Sequence, residues 1–225
     1  MDALNEIWNF LKELVNPESI IMYGGFWLLL FVVYAETGLF VGFFLPGDSL
    51  LFTAGLLTAT GTIDVHIVFV VAGVCLAAIA GNTTGYAFGK RTGKAIFNRK
   101  RTFFFKPKHL YAAKDFYDRH GGKAIILGEF LPVIRTFAPI VAGAVKLEYK
   151  KFIAYNITGA VLWANIMILL GYFLGTSVPG IKDYLTYIII FLIVITTIPV
   201  VRTIIKEKKR QHQMSGKEKN KESQK

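Results

Sequence analysis

Long apolar stretches separated by short polar punctuation fill most of the chain. A spanning helix needs about 20 mostly apolar residues, and residues 20–38, 65–89, 152–175 and 184–205 each meet that requirement. Within the second of these, Asn82, Thr83 and Thr84 form a polar interruption. Two further apolar stretches are broken. Residues 40–57 contain Pro46-Gly47-Asp48, and residues 124–145 contain Gly128, Glu129, Pro132, Arg135 and Pro139. Proline removes a backbone donor and glycine relaxes the backbone, so each break predicts a helix–turn–helix segment rather than a continuous span. At the start, Leu4, Ile7, Trp8, Leu11, Leu14 and Val15 recur at helical spacing up to Asn16-Pro17. This predicts an amphipathic interfacial helix over 1–19. Residues 206–225 are charged and polar, and read as a disordered basic tail.

The charge pattern turns these stretches into a topology. The chain has 225 residues, 53% of them hydrophobic, with a formal net charge of +11. The charge lies in two blocks: residues 90–123 carry +9 and residues 202–225 carry +6, leaving −4 elsewhere. Lys/Arg-rich loops stay cytoplasmic, which places both blocks on one side. The stretch 124–145 must then enter and leave on that side as a re-entrant hairpin. An internal repeat extends this reading to the first half. Phe44-Leu45-Pro46 recurs as Phe130-Leu131-Pro132, Ala54-Gly55 as Ala142-Gly143, and Gly85-Tyr86 with Gly89 as Gly171-Tyr172 with Gly175. The expected fold class is an all-α polytopic membrane protein, an inverted repeat with two re-entrant helical hairpins entering from opposite faces. Its parts are a first membrane repeat over 20–89, a basic cytoplasmic segment over 90–123 and a second membrane repeat over 124–205. The mildly acidic first nineteen residues do not fix the side of the N-terminus.

Composition excludes several functions. A single cysteine, Cys75, forms no intramolecular disulfide framework and no Cys-rich metal site. The four histidines, His66, His109, His120 and His212, are scattered, so no metal or other cofactor is expected. The N-terminus lacks the basic n-region of a signal peptide, and no cleavage is expected. Basic residues packed into two blocks beside apolar stretches argue against nucleic-acid binding. Phe103-Phe104-Phe105 among Arg99, Lys100, Arg101, Lys106 and Lys108 suits an anionic lipid surface instead.

The candidate chemistry sits at the breaks. Irregular backbone at membrane depth is tolerated only where protein buries it or a wet cavity receives it. Ionisable residues there are costly and point to function. Glu36 ends the first span, Asp48 follows Pro46-Gly47, and Glu129 and Arg135 flank Pro132. Arg135 offers a planar fork matched to phosphate oxygens. Hydrocarbon favours the neutral form of a carboxyl, so Glu36 and Asp48 are expected to exchange protons. Helix starts after Pro46-Gly47 and Pro132 would add unpaired N–H donors. Gly47, Asn82, Glu129, Pro132, Thr136 and Pro46 are expected to support the site, whereas Asn156, Trp163 and Asn165 read as packing and hydrogen-bonding residues. No nucleophile has a base at usable spacing, so an enzyme is not expected.

At these residues the sequence resembles the DedA family of bacterial membrane proteins, whose domain also occurs in eukaryotic lipid scramblases. The resemblance runs from about residue 20 to residue 175. It rests on Glu36 with Phe44-Leu45-Pro46-Gly47-Asp48, on Gly81-Asn82-Thr83-Thr84-Gly85-Tyr86 with Gly89, and on Phe130-Leu131-Pro132-Val133-Ile134-Arg135-Thr136-Phe137-Ala138-Pro139 with Ala142-Gly143. It implies lipid translocation driven by the proton motive force, with undecaprenyl phosphate and phosphatidylethanolamine the substrates associated with different members. It also implies that Glu36 and Asp48 match the family's essential acidic pair and Arg135 one of its two essential arginines. The chain departs from the family pattern twice: many members have Arg in place of Glu129 and commonly an acid in place of Asn82.

The expected function is proton-coupled flipping of a phosphate-bearing lipid across a bacterial inner membrane. Undecaprenyl phosphate is favoured, with Arg135 on the phosphate and Glu36 and Asp48 carrying protons. The expected partners are anionic or phosphate-bearing lipids, protons and the membrane, with room for a homo-oligomer. The alternatives are a phosphatidylethanolamine or general phospholipid translocase, a proton/ion antiporter, and a non-transporting adaptor acting through the basic loop and tail.

Overall fold

A computed structural model describes residues 17–39, 47–98, 123–178, 180–184, 187–188 and 191. The described residues form six α-helices and one short 3-10 turn. Helix α1 is Pro17–Gly38, α2 is Gly47–Ala59, α3 is Ile67–Asn98, α4 is Lys123–Gly128, α5 is Pro132–Ala144 and α6 is Tyr149–Ser177. The 3-10 turn, Ile181–Tyr184, follows α6. The expected interfacial helix up to residue 16, most of the basic segment, most of the last span and the tail lie outside the described residues.

Length separates the helices into two kinds. At about 1.5 Å per residue, α3 and α6 extend roughly 48 and 44 Å, more than a hydrocarbon core of about 30 Å requires. The apolar parts that qualify as spans are Ile67–Gly93 and Tyr149–Ser177. Helices α2 and α5, thirteen residues each, reach only about 20 Å. They are internal pieces between the long helices. Every residue of α2 from Gly47 to Leu57 is buried, as expected of a helix that is apolar on all sides.

Asn82, Thr83 and Thr84 lie within an unbroken α3, in line with the span expected over 65–89, while the boundaries differ from the sequence expectation in two places. Thr83 and Thr84 return their hydroxyls to the carbonyls of Ile79 and Ala80, four residues back, at 2.7 and 3.0 Å, so the polar groups are satisfied within the helix. Helix α3 continues beyond Gly89 to Asn98, because Lys90 and Arg91 are good helix formers whose side chains are exposed. Helix α1 is broken at Gly25, whose backbone takes φ 56° and ψ −152°, a conformation open to glycine.

The two halves pack by exchanging their short helices. Helix α2 lies against α6 and α5 lies against α3. Glycine makes both contacts possible. A Cβ on Gly55 would strike the Ile168 carbonyl, and one on Gly171 the Phe52 carbonyl. In the other pair, Gly143 abuts the Tyr86 carbonyl and Gly89 the Ile140 carbonyl. Backbone-to-backbone approach of this kind is the membrane solution to helix association, where lipid gives no hydrophobic driving force. The contacts also reset the repeat. Gly55 and Gly143 occupy matching places, but the mate of Gly171 is Gly89 rather than Gly85, one turn further along. Sequence matching of Gly-Tyr pairs chose the wrong turn because apolar helices offer several glycines at similar spacing.

The largest core joins Leu29 and Val33 of α1, Leu50, Leu51 and Leu56 of α2, Val70 and Val74 of α3, and Trp163, Ala164 and Ile168 of α6. A smaller cluster groups Tyr86, Ile125, Ala142 and Phe152. There Tyr86 stacks on Phe152 with centroids 4.4 Å apart and donates its hydroxyl to the Leu147 carbonyl at 2.5 Å. Outside, Trp27, Phe31, Phe69, Leu76, Leu170 and Phe173 are exposed, an apolar belt that suits lipid. The glycine contacts give a direct test. Gly171→Leu and Gly143→Leu each force a side chain into a neighbouring backbone and are expected to destabilise by about 1–3 kcal/mol or more. Thermal unfolding in detergent should drop for both, while Val161→Ala on the outer face of α6 stays close to wild type.

Candidate functional site

Three helix ends converge on one guanidinium. Glu36 lies in the last turn of α1, Asp48 in the first turn of α2, and Arg135 in the first turns of α5, which opens at Pro132. Arg135 Nη2 donates to Asp48 Oδ1 at 2.6 Å and Nη1 to Glu36 Oε1 at 3.2 Å. The three are buried, Arg135 to 1% exposure. An isolated charge at such depth costs several kcal/mol, and the two carboxylates offset that cost. Asp48 at a helix start is further favoured by the positive end of the α2 dipole.

Trp163 of α6 completes the centre. Its ring lies under the guanidinium, 4.0 Å from Arg135 Cζ to the centroid, a cation–π contact. Its Nε1–H donates to the same Asp48 Oδ1 at 2.8 Å. Asp48 is thereby fixed by two donors, whereas Glu36 holds one ionic contact and its Oε2 has no hydrogen-bond partner among the described residues. Arg135 Nε is likewise without a partner there. Gly47 carries no side chain because the Glu36 carboxyl fills the place its Cβ would take. Thr136 donates its hydroxyl to the Glu36 backbone carbonyl at 3.3 Å, tying the start of α5 to the end of α1.

A second polar group lies on α3 and α6. Asn82 Nδ2 donates to Glu129 Oε1 at 2.6 Å and to Asn156 Oδ1 at 2.8 Å. Asn156 passes its own amide hydrogen to the Ile79 carbonyl at 3.2 Å. Glu129 is in the turn between α4 and α5, against Gly159 of α6, and is 2% exposed. It therefore belongs to the protein interior, and its hydrogen-bonded partner is Asn82.

The structure thus brings Glu36, Gly47, Asp48, Arg135 and Thr136 into one centre and Asn82 and Glu129 into another. Pro46 lies outside the described residues. Trp163 and Asn156 were legible as buried polar-tipped side chains but not as site members. The available signal was the stripe Asn156, Gly159, Ala160, Trp163, Ala164, which shares one buried face of α6. A buried indole N–H needs an acceptor, and Asp48 supplies it. Among the described residues no group of His, Cys, Asp and Glu has the arrangement of a metal site.

The short internal helices, long spans and buried ionic centre define a polytopic helical membrane protein with a charged interior. The chain matches the VTT domain over residues 45–173. It is 41% identical over 209 residues to Protein DedA of Escherichia coli strain K12, covering 93% of this chain and 94% of that one. A membrane protein of Mycobacterium leprae is 36% identical over 185 residues, 82% of each chain. One of Mycobacterium tuberculosis is 38% identical over 171 residues, 76% of this chain and 74% of the relative. No solved structure matches the chain. The chain belongs to the DedA family of VTT-domain membrane proteins.

The ion centre predicts a characteristic pattern of stability. Arg135→Met leaves two buried carboxylates without their cation and should destabilise by about 3–5 kcal/mol. The triple variant Glu36→Gln, Asp48→Asn, Arg135→Met removes all the charge and should recover most of that loss. Unfolding in micelles, compared across single, double and triple variants, measures the coupling.

Proposed function

We propose that the chain translocates a phosphate-bearing lipid across a bacterial inner membrane by coupling it to proton movement, with undecaprenyl phosphate the favoured substrate. The observation that carries this reading is the buried Arg135, held by one firmly bound and one loosely bound carboxylate. Phosphate and Glu36 compete for the same face of the guanidinium. Protonating Glu36 removes its negative charge and frees Nη1, beside the Nε that already lacks a partner among the described residues. Those groups can then bind a phosphate in the forked geometry that suits arginine. Loss of the proton returns Glu36 to Arg135 and expels the lipid. Asp48 keeps the guanidinium in place throughout, through Trp163 and Nη2.

The helix lengths support the proposed topology. Two 20 Å helices cannot cross alone, and we place α2 and α5 as the inner limbs of two re-entrant segments entering from opposite faces, with the C-terminus cytoplasmic. In the proposed cycle, α2 with α6 forms one rigid unit and α5 with α3 another. Rocking of one unit against the other would alternate access to the centre, as in inverted-repeat transporters.

A second reading, a proton/ion antiporter, draws support from the charge balance. The described interior has three buried carboxyls, Glu36, Asp48 and Glu129, against one buried guanidinium. Reconstitution separates the two. In proteoliposomes with an imposed proton gradient, the translocase flips labelled polyprenyl phosphate or phosphatidylethanolamine. The antiporter moves ions in vesicles of any lipid. For the translocase, Arg135→Ala should slow flipping roughly 30-fold or more, the counterpart of the 2 kcal/mol or more lost with a buried charged contact. Deleting residues 206–225 should leave flipping intact; its loss would favour the adaptor.

The topology has its own test. Single cysteines at the exposed Asp64, between α2 and α3, and Glu148, just before α6, in a Cys75→Ala background should label from opposite sides of the membrane. Labelling of both from the same side would overturn the opposed arrangement.

A further inference from the structure

Glu129 is a buried carboxyl that the Arg135 centre does not use. The Arg135 ion pairs go to Glu36 and Asp48, while the one hydrogen bond to Glu129 comes from the neutral amide of Asn82. Two oxygens in this group have no partner among the described residues: Glu129 Oε2 and Asn82 Oδ1. Both are acceptors, both are buried, and they belong to two groups already joined by the bond from Asn82 Nδ2 to Glu129 Oε1. Buried acceptors without donors are rare, and each calls for an explanation.

One added proton answers both. A carboxylic acid and a primary amide pair through two parallel hydrogen bonds, with N–H donating to the acid carbonyl and O–H donating to the amide oxygen. The first bond is present. We propose that Asn82, Glu129 and Asn156 form a second proton-binding site, in which Glu129 takes a proton from water on Oε2 and donates it to Asn82 Oδ1. Asn156 fixes the amide: its Oδ1 accepts the other Asn82 hydrogen, and its own amide is anchored on the Ile79 carbonyl. The Asn82 amide is thus held through its nitrogen by both neighbours.

The surroundings set the charge on this site. Helix α3 contributes the neutral Asn82, α6 the neutral Asn156 and the bare Gly159. Of the charged groups, Arg135 on α5 attracts the Glu129 charge, while Asp48 on α2 and Glu36 on α1 repel it. Arg135 is already occupied by those two acids, so the proton is the cation available to Glu129. A metal ion suits the group poorly: hard cations take about six or more oxygens, and the site offers two free ones. This site stands beyond the lipid reading, since proton binding here does not depend on which substrate Arg135 takes.

The test is infrared difference spectroscopy of the full chain in lipid nanodiscs as pH is stepped. Wild type should show a buried carboxylic-acid C=O band that disappears as pH rises. Glu129→Gln should lose that band while keeping its fold, because glutamine offers Asn82 the same donor that the protonated acid offers. Glu36→Gln should retain it. Asn82→Ala should shift its frequency, since the acid then lacks its amide partner. Survival of the band in Glu129→Gln, absence of any such band in wild type, or its displacement by sodium at fixed pH would each overturn the proposal. None of these outcomes bears on whether lipid is flipped, so a failure here leaves the translocation reading to its own assay.

Discussion

A guanidinium kept from water needs anions brought to it, and the rest of this fold depends on meeting that need. Arg135 stands at 1% exposure, where an unpaired charge would outweigh much of the stability a domain of this size possesses. No single helix can supply both counter-charges and the stacking ring. Glu36 comes from the end of α1, Asp48 from the start of α2, and Trp163 from the middle of α6. Helix ends must therefore meet inside the bundle, so α2 and α5 are short. Long outer helices must then surround them, and α3 and α6 do so. The bare glycine faces of those helices follow from the same demand, because four elements converge on one point only if their backbones approach closely.

The two polar centres solve the burial of charge differently. Around Arg135, opposite charges face each other at 2.6 and 3.2 Å. Around Glu129, neutral amides carry the load. An arginine at 129 beside the neutral Asn82 would lack its counter-charge, and an acid at 82 beside Glu129 would set two carboxyls against each other.

Much of the fold was legible because hydrocarbon imposes so few rules. Apolar length marked the long helices, and proline and glycine marked the breaks. The ionisable residues at those breaks named Glu36, Asp48 and Arg135 as site members. Partners were harder to read. Trp163 looks like any core aromatic until Asp48 is placed beside its N–H. Asn156 looks like a packing residue until Asn82 is across from it. Both belong to contacts more than seventy residues apart in the chain, and no local pattern encodes such a distance. The polar run at Asn82 was legible as part of a span, and its threonines bond to their own helix, which continues to Asn98.

The swapped packing decides what can move under the proposed translocation. Gly55 and Gly171 lock α2 to α6, and Gly89 and Gly143 lock α3 to α5, through contacts between backbones. Contacts of that kind do not loosen gradually, because a glycine face has no side chain to change rotamer. The Trp163–Asp48 bond lies within the α2–α6 unit, while other polar bonds run across the division. Arg135 on α5 reaches Asp48 on α2 and Trp163 on α6, and Asn82 on α3 reaches Asn156 on α6. The pairs are also joined by the shared apolar core, in which Val70 and Val74 of α3 cluster with Leu50 and Leu51 of α2 and Trp163 and Ile168 of α6. Rocking one pair against the other would therefore rearrange apolar contacts as well as polar bonds. A proton or a phosphate entering either centre acts on the polar bonds directly, so under the proposed cycle those bonds carry the bias between states while the shared core adds to the cost of passing between them.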